Sequence, residues 1–292
     1  MNSQAHNYTD GRIASGRIAS RFAELRQRGE AALIPFIVAG DPNLESTARL
    51  VLELEARGAD LIELGVPFSD PMADGPANQR ASARGLAAGA TLPAILAMAA
   101  DLRKHTQIPL VLFGYYNPIH HYGCARLCKD AASAGIDGLL AVDLPPEEAG
   151  DLAGPARAEG LDIIYLLAPT TPIERSRVIS RSASGFLYYV SVTGVTGARD
   201  QLGADLERNV RRLREVTKLP IGVGFGISTP AQAREVASFA DAVVVGSAIS
   251  RLIEEHQASE HMVNAVADFV GSLKEAMCGA RPSGAPMTAG ND

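Results

Sequence analysis

Hydrophobic positions along this chain follow two alternating patterns. Continuous apolar runs stand at 33–40, 61–66, 109–115, 138–144, 162–168, 185–192, 220–226 and 241–246. Between several of them apolar residues recur every three or four positions, as in ESTARLVLELEARG, PAILAMAADLRKH, RNVRRLREVTK and AQAREVASF. Continuous runs mark strands covered on both faces, and the longer period marks amphipathic helices packed over them. Eight such βα units within about 250 residues predict an α/β protein, a single (β/α)8 TIM barrel with an extra N-terminal helix. An Asp precedes or opens four of the runs (Asp60, Asp137, Asp162, Asp241), an internal echo of repeated units. The alternative, an open doubly wound sheet, lacks a GxGxxG after its first strand.

Two segments fall outside the repeat. Residues 1–20 form an N-terminal extension in which GRIAS is written twice, residues 21–278 the barrel, and residues 279–292 a tail expected to be disordered. The doubling either lengthens an N-terminal helix by about five residues, rotating its apolar face, or sits in a frayed end. The N-terminus MNSQAHNYTDGR is polar and no apolar stretch approaches bilayer length, so a cytoplasmic protein is expected. Cys124, Cys128 and Cys278 form an odd set with no disulfide framework. A net charge of -6 gives no basic footprint for nucleic acid, although 23 of the 27 basic residues are Arg.

Chemistry concentrates in LIELGVPFSDPMADGP, residues 61–76. Glu63 interrupts an apolar strand, and a carboxylate there is costly without a role or a partner. It reads either as an acid-base residue at the barrel mouth or as a pleat-facing Glu that meets solvent or a structural Arg. Asp70 and Asp74 follow in a turn-rich loop. A second group is the glycines at late strand ends: Thr196-Gly197, Gly226 within GFGIS, and Gly246-Ser247. Loops seven and eight of a barrel meet, and a helix starting near Ser247 would offer N–H groups to a phosphate. The stretch 191–206, with Gly194, Gly197 and Gly203 as hinge points, is expected to be a mobile lid. None of the four lysines stands in a strand-end motif, which argues against Schiff-base chemistry. His120, His121, Cys124 and Cys128 cluster on a helical segment where packing explains them better than a metal does.

These motifs resemble the tryptophan synthase alpha subunit family over roughly residues 21–276. LIELGVPFSDPMADGP is a specific signature, and LIPFIVAGDP, GVTGAR, GFGIS and VVGSAI follow in the family's order. The resemblance implies cleavage of indole-3-glycerol phosphate to indole and glyceraldehyde 3-phosphate. It implies no cofactor in this chain, and a beta-subunit partner carrying pyridoxal phosphate in an alpha2beta2 complex. By motif position Glu63 would be the general acid-base residue, and Asp74 would stabilise positive charge at the indole nitrogen. Phe36, Tyr115, Leu140, Tyr188 and Phe225 would wall the indole slot, and Gly226, Gly246 and Ser247 would hold the phosphate. Thr196 and Gly197 would close over the site, and the loop around Asp70 would face the beta subunit. One departure stands out: the family places an apolar residue before the Gln that follows ADGP, and here the run is Ala77-Asn78-Gln79, which puts a polar group at the slot. A catalytically idle scaffold and a stand-alone lyase are the competing readings, and the presence of both Glu63 and Asp74 favours an enzyme.

Overall fold

The computed structural model describes residues 16–190, 199–224 and 226–280. Its strands are β1 (Ala32–Val38), β2 (Ile62–Gly65), β3 (Leu110–Gly114), β4 (Gly138–Ala141), β5 (Asp162–Ile163), β6 (Tyr165–Leu167), β7 (Leu187–Val190), β8 (Ile221–Gly224) and β9 (Ala242–Val245). All pairings are parallel, in the order β5-β4-β3-β2-β1-β9-β8-β7-β6. The two ends of that order, β5 and β6, are halves of one apolar run separated by Ile164 alone. The first half pairs with β4 and the second with β7, so the sheet closes on itself within the fifth run. The eight expected runs therefore form the eight staves of a (β/α)8 barrel.

Alternation along each strand separates two apolar layers. Leu33, Ile62, Leu64, Leu110 and Leu139 face outward into the shell of helices. Ala32, Ile34, Leu61, Val111, Leu140, Phe186 and Val244 face inward. The N-terminal helix Arg17–Arg28 starts at the second GRIAS copy, with Gly16 as its N-cap. Its Ile18, Phe22 and Leu25 lie on one face at helical spacing and join the inward layer, Phe22 meeting Phe186 at 5.9 Å. That helix plugs one end of the barrel and leaves the other as the mouth.

The recurrent aspartates stand at the plugged end. Asp60 Oδ2 accepts the Leu33 N–H at 2.8 Å and the Lys274 ammonium at 2.7 Å. Asp137 accepts the Leu110 N–H, Arg103 and Arg17, each at 2.8 Å. Asp241 accepts the Ile221 N–H at 2.9 Å and ion-pairs with Arg214 at 2.9 Å. Each carboxylate thus ties the start of its own strand to the start of the preceding one and to a cation, satisfying a buried charge. Asp162 departs from this: its side-chain partner is Ser184, and burial raises its pKa.

One expectation about a loop changes. The helix after β7 runs Arg199–Arg214, so the latter half of the expected lid, Gly203 included, is helical. Helix propensity along RDQLGADLERNVRRLR overrides the single glycine. The lid's remaining part, with Thr196 and Gly197, lies outside the described residues, as do Phe225, the first GRIAS copy and the tail beyond 280. Cys124 and Cys128 are buried on the helix Cys124–Ser133, packed into the outer layer. Among the described residues no single helix is long and apolar enough to cross a membrane.

Candidate active site

Glu63 occupies the second position of β2, between Ile62 and Leu64. Those two point to the helices, so the pleat turns Glu63 into the barrel, level with Phe36 of β1 and Val111 of β3. The residue is 0% exposed, and among the described residues neither carboxyl oxygen has a hydrogen-bond partner. Burial pushes its pKa up to about 8, which keeps the carboxyl protonated at neutral pH. Asp41, on the loop after β1, shows how differently a buried carboxylate behaves when it is structural. Arg84 grips both of its oxygens, at 2.7 and 2.8 Å.

Above Glu63 opens a cavity of about 260 Å³. Phe36, Phe113 and Tyr188 form its aromatic wall, with ring centroids 4.9 Å apart for the first pair and 6.4 Å for the second. Tyr188 is held in place by what Gly224 lacks: a Cβ there would come within 2.2 Å of the Tyr188 hydroxyl. Burial, together with the charges of Glu63 and Asp74, raises the Tyr188 pKa far above that of a free phenol.

Asp74 reaches the same cavity from the loop ahead of the helix Pro76–Ala87. The Tyr115 hydroxyl donates to Asp74 Oδ2 at 3.0 Å and accepts the Ala73 N–H at 2.9 Å, so one phenol fixes both the loop and its carboxylate. Gln79 Nε2 donates to the Asp74 carbonyl at 2.9 Å. Burial raises the pKa of Asp74, while the Tyr115 and Asn78 side chains lower it. At the far side the cavity meets Gly226, Gly246 and Ser247. Gly246 is the N-cap of the helix Ser247–His256 and no side chain caps that end, so its first N–H groups are available to an anion. Gly226 has φ 78°, a left-handed conformation glycine adopts without strain. A proton-carrying acid, an aromatic slot, a fixed carboxylate and an anion cradle thus share one small chamber.

A family model for the tryptophan synthase alpha chain matches residues 22–278. The chain belongs to the tryptophan synthase alpha chain family. The alpha chain of Geobacter sp. (strain M21) is 56% identical over 259 residues, 89% of this chain and 97% of the relative. That of Acidiphilium cryptum is 50% identical over 271 residues, 91% of this chain and 98% of the relative. Among solved structures, the alpha subunit from Legionella pneumophila superposes with a TM-score of 0.84 at 40% identity, covering 90% of this chain and 99% of that one. A Mycobacterium tuberculosis tryptophan synthase chain gives 0.81 at 33% identity, covering 90% and 98%.

Of the residues expected from the alpha-chain family resemblance, Glu63, Asp74, Phe36, Tyr188, Gly226, Gly246 and Ser247 all line the one cavity. Two take other places. Leu140 is fully buried in the inward layer with Val111 and Ile164 and does not reach the cavity; its register partner Phe113 forms the wall instead. Tyr115 buttresses Asp74 from behind rather than walling the slot. Residue-type reasoning passed over Phe113 and Arg251. Arg251 lines the cavity four residues after Ser247 on the same helix, so helical spacing from the glycine motif was the available signal.

Proposed function

We propose that Glu63 and Asp74 carry the reaction of this family, cleavage of indole-3-glycerol phosphate to indole and glyceraldehyde 3-phosphate in tryptophan biosynthesis. Glu63, protonated at rest, donates its proton to indole C3, which turns the ring into an electron-accepting indolenine. Positive charge grows at the ring nitrogen, where the Asp74 carboxylate accepts the N–H and stabilises it. The ionised Glu63 then takes the proton of the hydroxyl on the adjoining side-chain carbon. As that oxygen becomes a carbonyl, the carbon–carbon bond breaks, its electrons restore the aromatic ring, and protons balance. Phe36, Tyr188 and Phe113 would sandwich the ring, and Gly226, Gly246 and the Ser247 helix end would hold the phosphate. Thr196, Gly197 and Phe225 keep their roles by resemblance.

One observation carries this reading: a fully buried carboxyl, without a hydrogen-bond partner among the described residues, that opens onto the cavity. As an alpha chain it has a beta-subunit partner; the alpha2beta2 form, with pyridoxal phosphate confined to the beta subunit, is the proposed assembly. Met72, 90% exposed on the loop after Asp70, gives that loop an apolar tip suited to docking. A cytoplasmic location and a catalytic unit over residues 21–278 complete the proposal. Indole release from indole-3-glycerol phosphate, followed with and without a beta subunit, tests it. Turnover that vanishes in Glu63→Ala, with circular dichroism unchanged, is the expected result, and an active variant removes Glu63 from the reaction.

A further inference from the structure

On the outer face of β7 lies a second cavity, which shares no residue with the one above Glu63. Alternation along the strand accounts for the pair: Tyr188 turns into the barrel and Tyr189 turns out toward the helices. Tyr189 is 2% exposed, and its hydroxyl has no hydrogen-bond partner among the described residues. It lines a cavity of about 200 Å³ bounded by the loop after β6 and by two helices, Ile173–Ser182 and Arg199–Arg214. That volume is the share of about six or seven liquid water molecules, room for a small organic molecule. A buried phenol without a partner is costly unless something in the cavity completes it.

The rest of the lining is one-sided in charge. Asn209 and Arg212 stand three residues apart on one face of the helix Arg199–Arg214 and both line the cavity. On that helix Arg208, Arg211 and Arg214 ion-pair with Asp205, Glu207 and Asp241, whereas Arg212 has no ion pair among the described residues. Among the described residues no Asp or Glu lines the cavity. The Thr171 hydroxyl accepts the Ala168 N–H at 3.0 Å, which leaves its own hydrogen to donate. Burial raises the Tyr189 pKa, offset in part by the Asn209 side chain, so the phenol keeps its hydrogen as well. Water alone would complete the phenol; a cation with no acid beside it is what selects an anion.

We propose that this cavity is a second binding site, for a small organic anion whose carboxylate or phosphate head takes hydrogen bonds from Tyr189 and Thr171 and the charge of Arg212, while a short apolar part rests on Ile173 and Leu213. Both heads offer only acceptors and a negative charge, which is the complement of that lining. The inference does not depend on the roles of Glu63 and Asp74.

The full chain, with isotope-labelled tyrosine rings, is titrated with butanoate, propyl phosphate and neutral butanamide, and the Tyr189 resonance is assigned by its loss in Tyr189→Phe. Calorimetry supplies the affinities. The Tyr189 resonance is expected to move with a Kd of about 1 mM for at least one anion, with butanamide at least about tenfold weaker. Tyr189→Phe and Arg212→Ala should each weaken that anion by about fivefold or more. Ser247→Asp, which fills the anion cradle of the other cavity with a negative charge, should leave the affinity within about twofold, since the two sites share no residue. Tighter binding of propyl phosphate or of butanoate supports the site either way and assigns its head. A Tyr189 resonance that stays in place up to about 50 mM of both anions shows that the cavity holds water only and overturns the proposal. So does butanamide binding as tightly as the anions, or an affinity that neither Tyr189→Phe nor Arg212→Ala moves. An affinity lost in Ser247→Asp overturns it too, by placing the anion in the cavity above Glu63.

Discussion

Three aspartates at the plugged end of this barrel and Glu63 at its mouth are buried carboxylates held in opposite ways. At the plugged end Asp60, Asp137 and Asp241 each receive a backbone N–H and a cation, so their charge is fully compensated. At the mouth Glu63 is as deeply buried and receives neither from the described residues. The same functional group therefore serves as a latch where donors surround it and as a proton store where they are withheld. Burial lifts the Glu63 pKa to about 8, within reach of a proton transfer at neutral pH.

The contrast breaks most visibly in activity. Glu63→Gln keeps the shape and removes the proton, so turnover should fall by about 10²- to 10⁴-fold in the indole-release assay. Asp60→Ala should leave turnover per folded molecule unchanged. Its effect is on stability, a loss of about 3 kcal/mol in urea unfolding, because the Leu33 N–H loses its acceptor and Lys274 keeps only a distant Glu30, at 4.0 Å. An Asp60 variant that loses activity while its unfolding curve stays in place would erase the distinction between the ends.

The next effect is smaller and depends on pH. A raised folded-state pKa means that the native state holds the proton more tightly than the unfolded chain does. Glu63 is therefore neutral to stability below about 4.5, where both states are protonated, and increasingly destabilising as pH rises from about 4.5 to about 8. Glu63→Gln should melt near the wild-type temperature at pH 4.5 and several degrees above it at pH 8, an advantage on the order of a few kcal/mol. A melting difference that stays flat across that window would mean that Glu63 is ionised in the folded protein.

Much of this was legible in the residues, for physical reasons. Parallel strands covered on both sides must be apolar throughout, so the eight runs announce the barrel, and a lone Glu within one of them stands out. Closure inside the fifth run was not legible, because a strand that changes partner at Ile164 leaves no mark in composition. Leu140 was expected at the slot from the family resemblance, which does not convey depth along the barrel axis; its neighbour in register, Phe113, lines the cavity. Tyr115 was expected in the wall from the family resemblance, while the bond from its hydroxyl to Asp74 is a pairing the residues alone do not announce. The Asp echo announced repetition, yet only the paired cations Lys274, Arg103 and Arg214, drawn from helices far apart in the chain, reveal it as a latch.

The smallest expected effect tests whether the latch is a set of separate clasps or one network. Asp137 holds two arginines in different settings. The Arg103 side chain is 11% exposed and also donates to the Gly135 and Ile108 carbonyls, at 2.8 and 2.6 Å. Arg17, 37% exposed on the plugging helix, adds only a contact to Gln107 at 3.0 Å. Losing Arg103 leaves Asp137 with the half-exposed Arg17 as its cation and strands two carbonyls, so Arg103→Ala should cost about 3 kcal/mol. Losing Arg17 leaves Asp137 still paired and water at hand, and Arg17→Ala should cost about 1 kcal/mol or less, shrinking further at high salt. The plug itself is held by Ile18, Phe22 and Leu25, which this substitution does not touch. Equal losses in urea unfolding for the two arginine variants would show that the plugging helix and the Asp137 clasp stand or fall together.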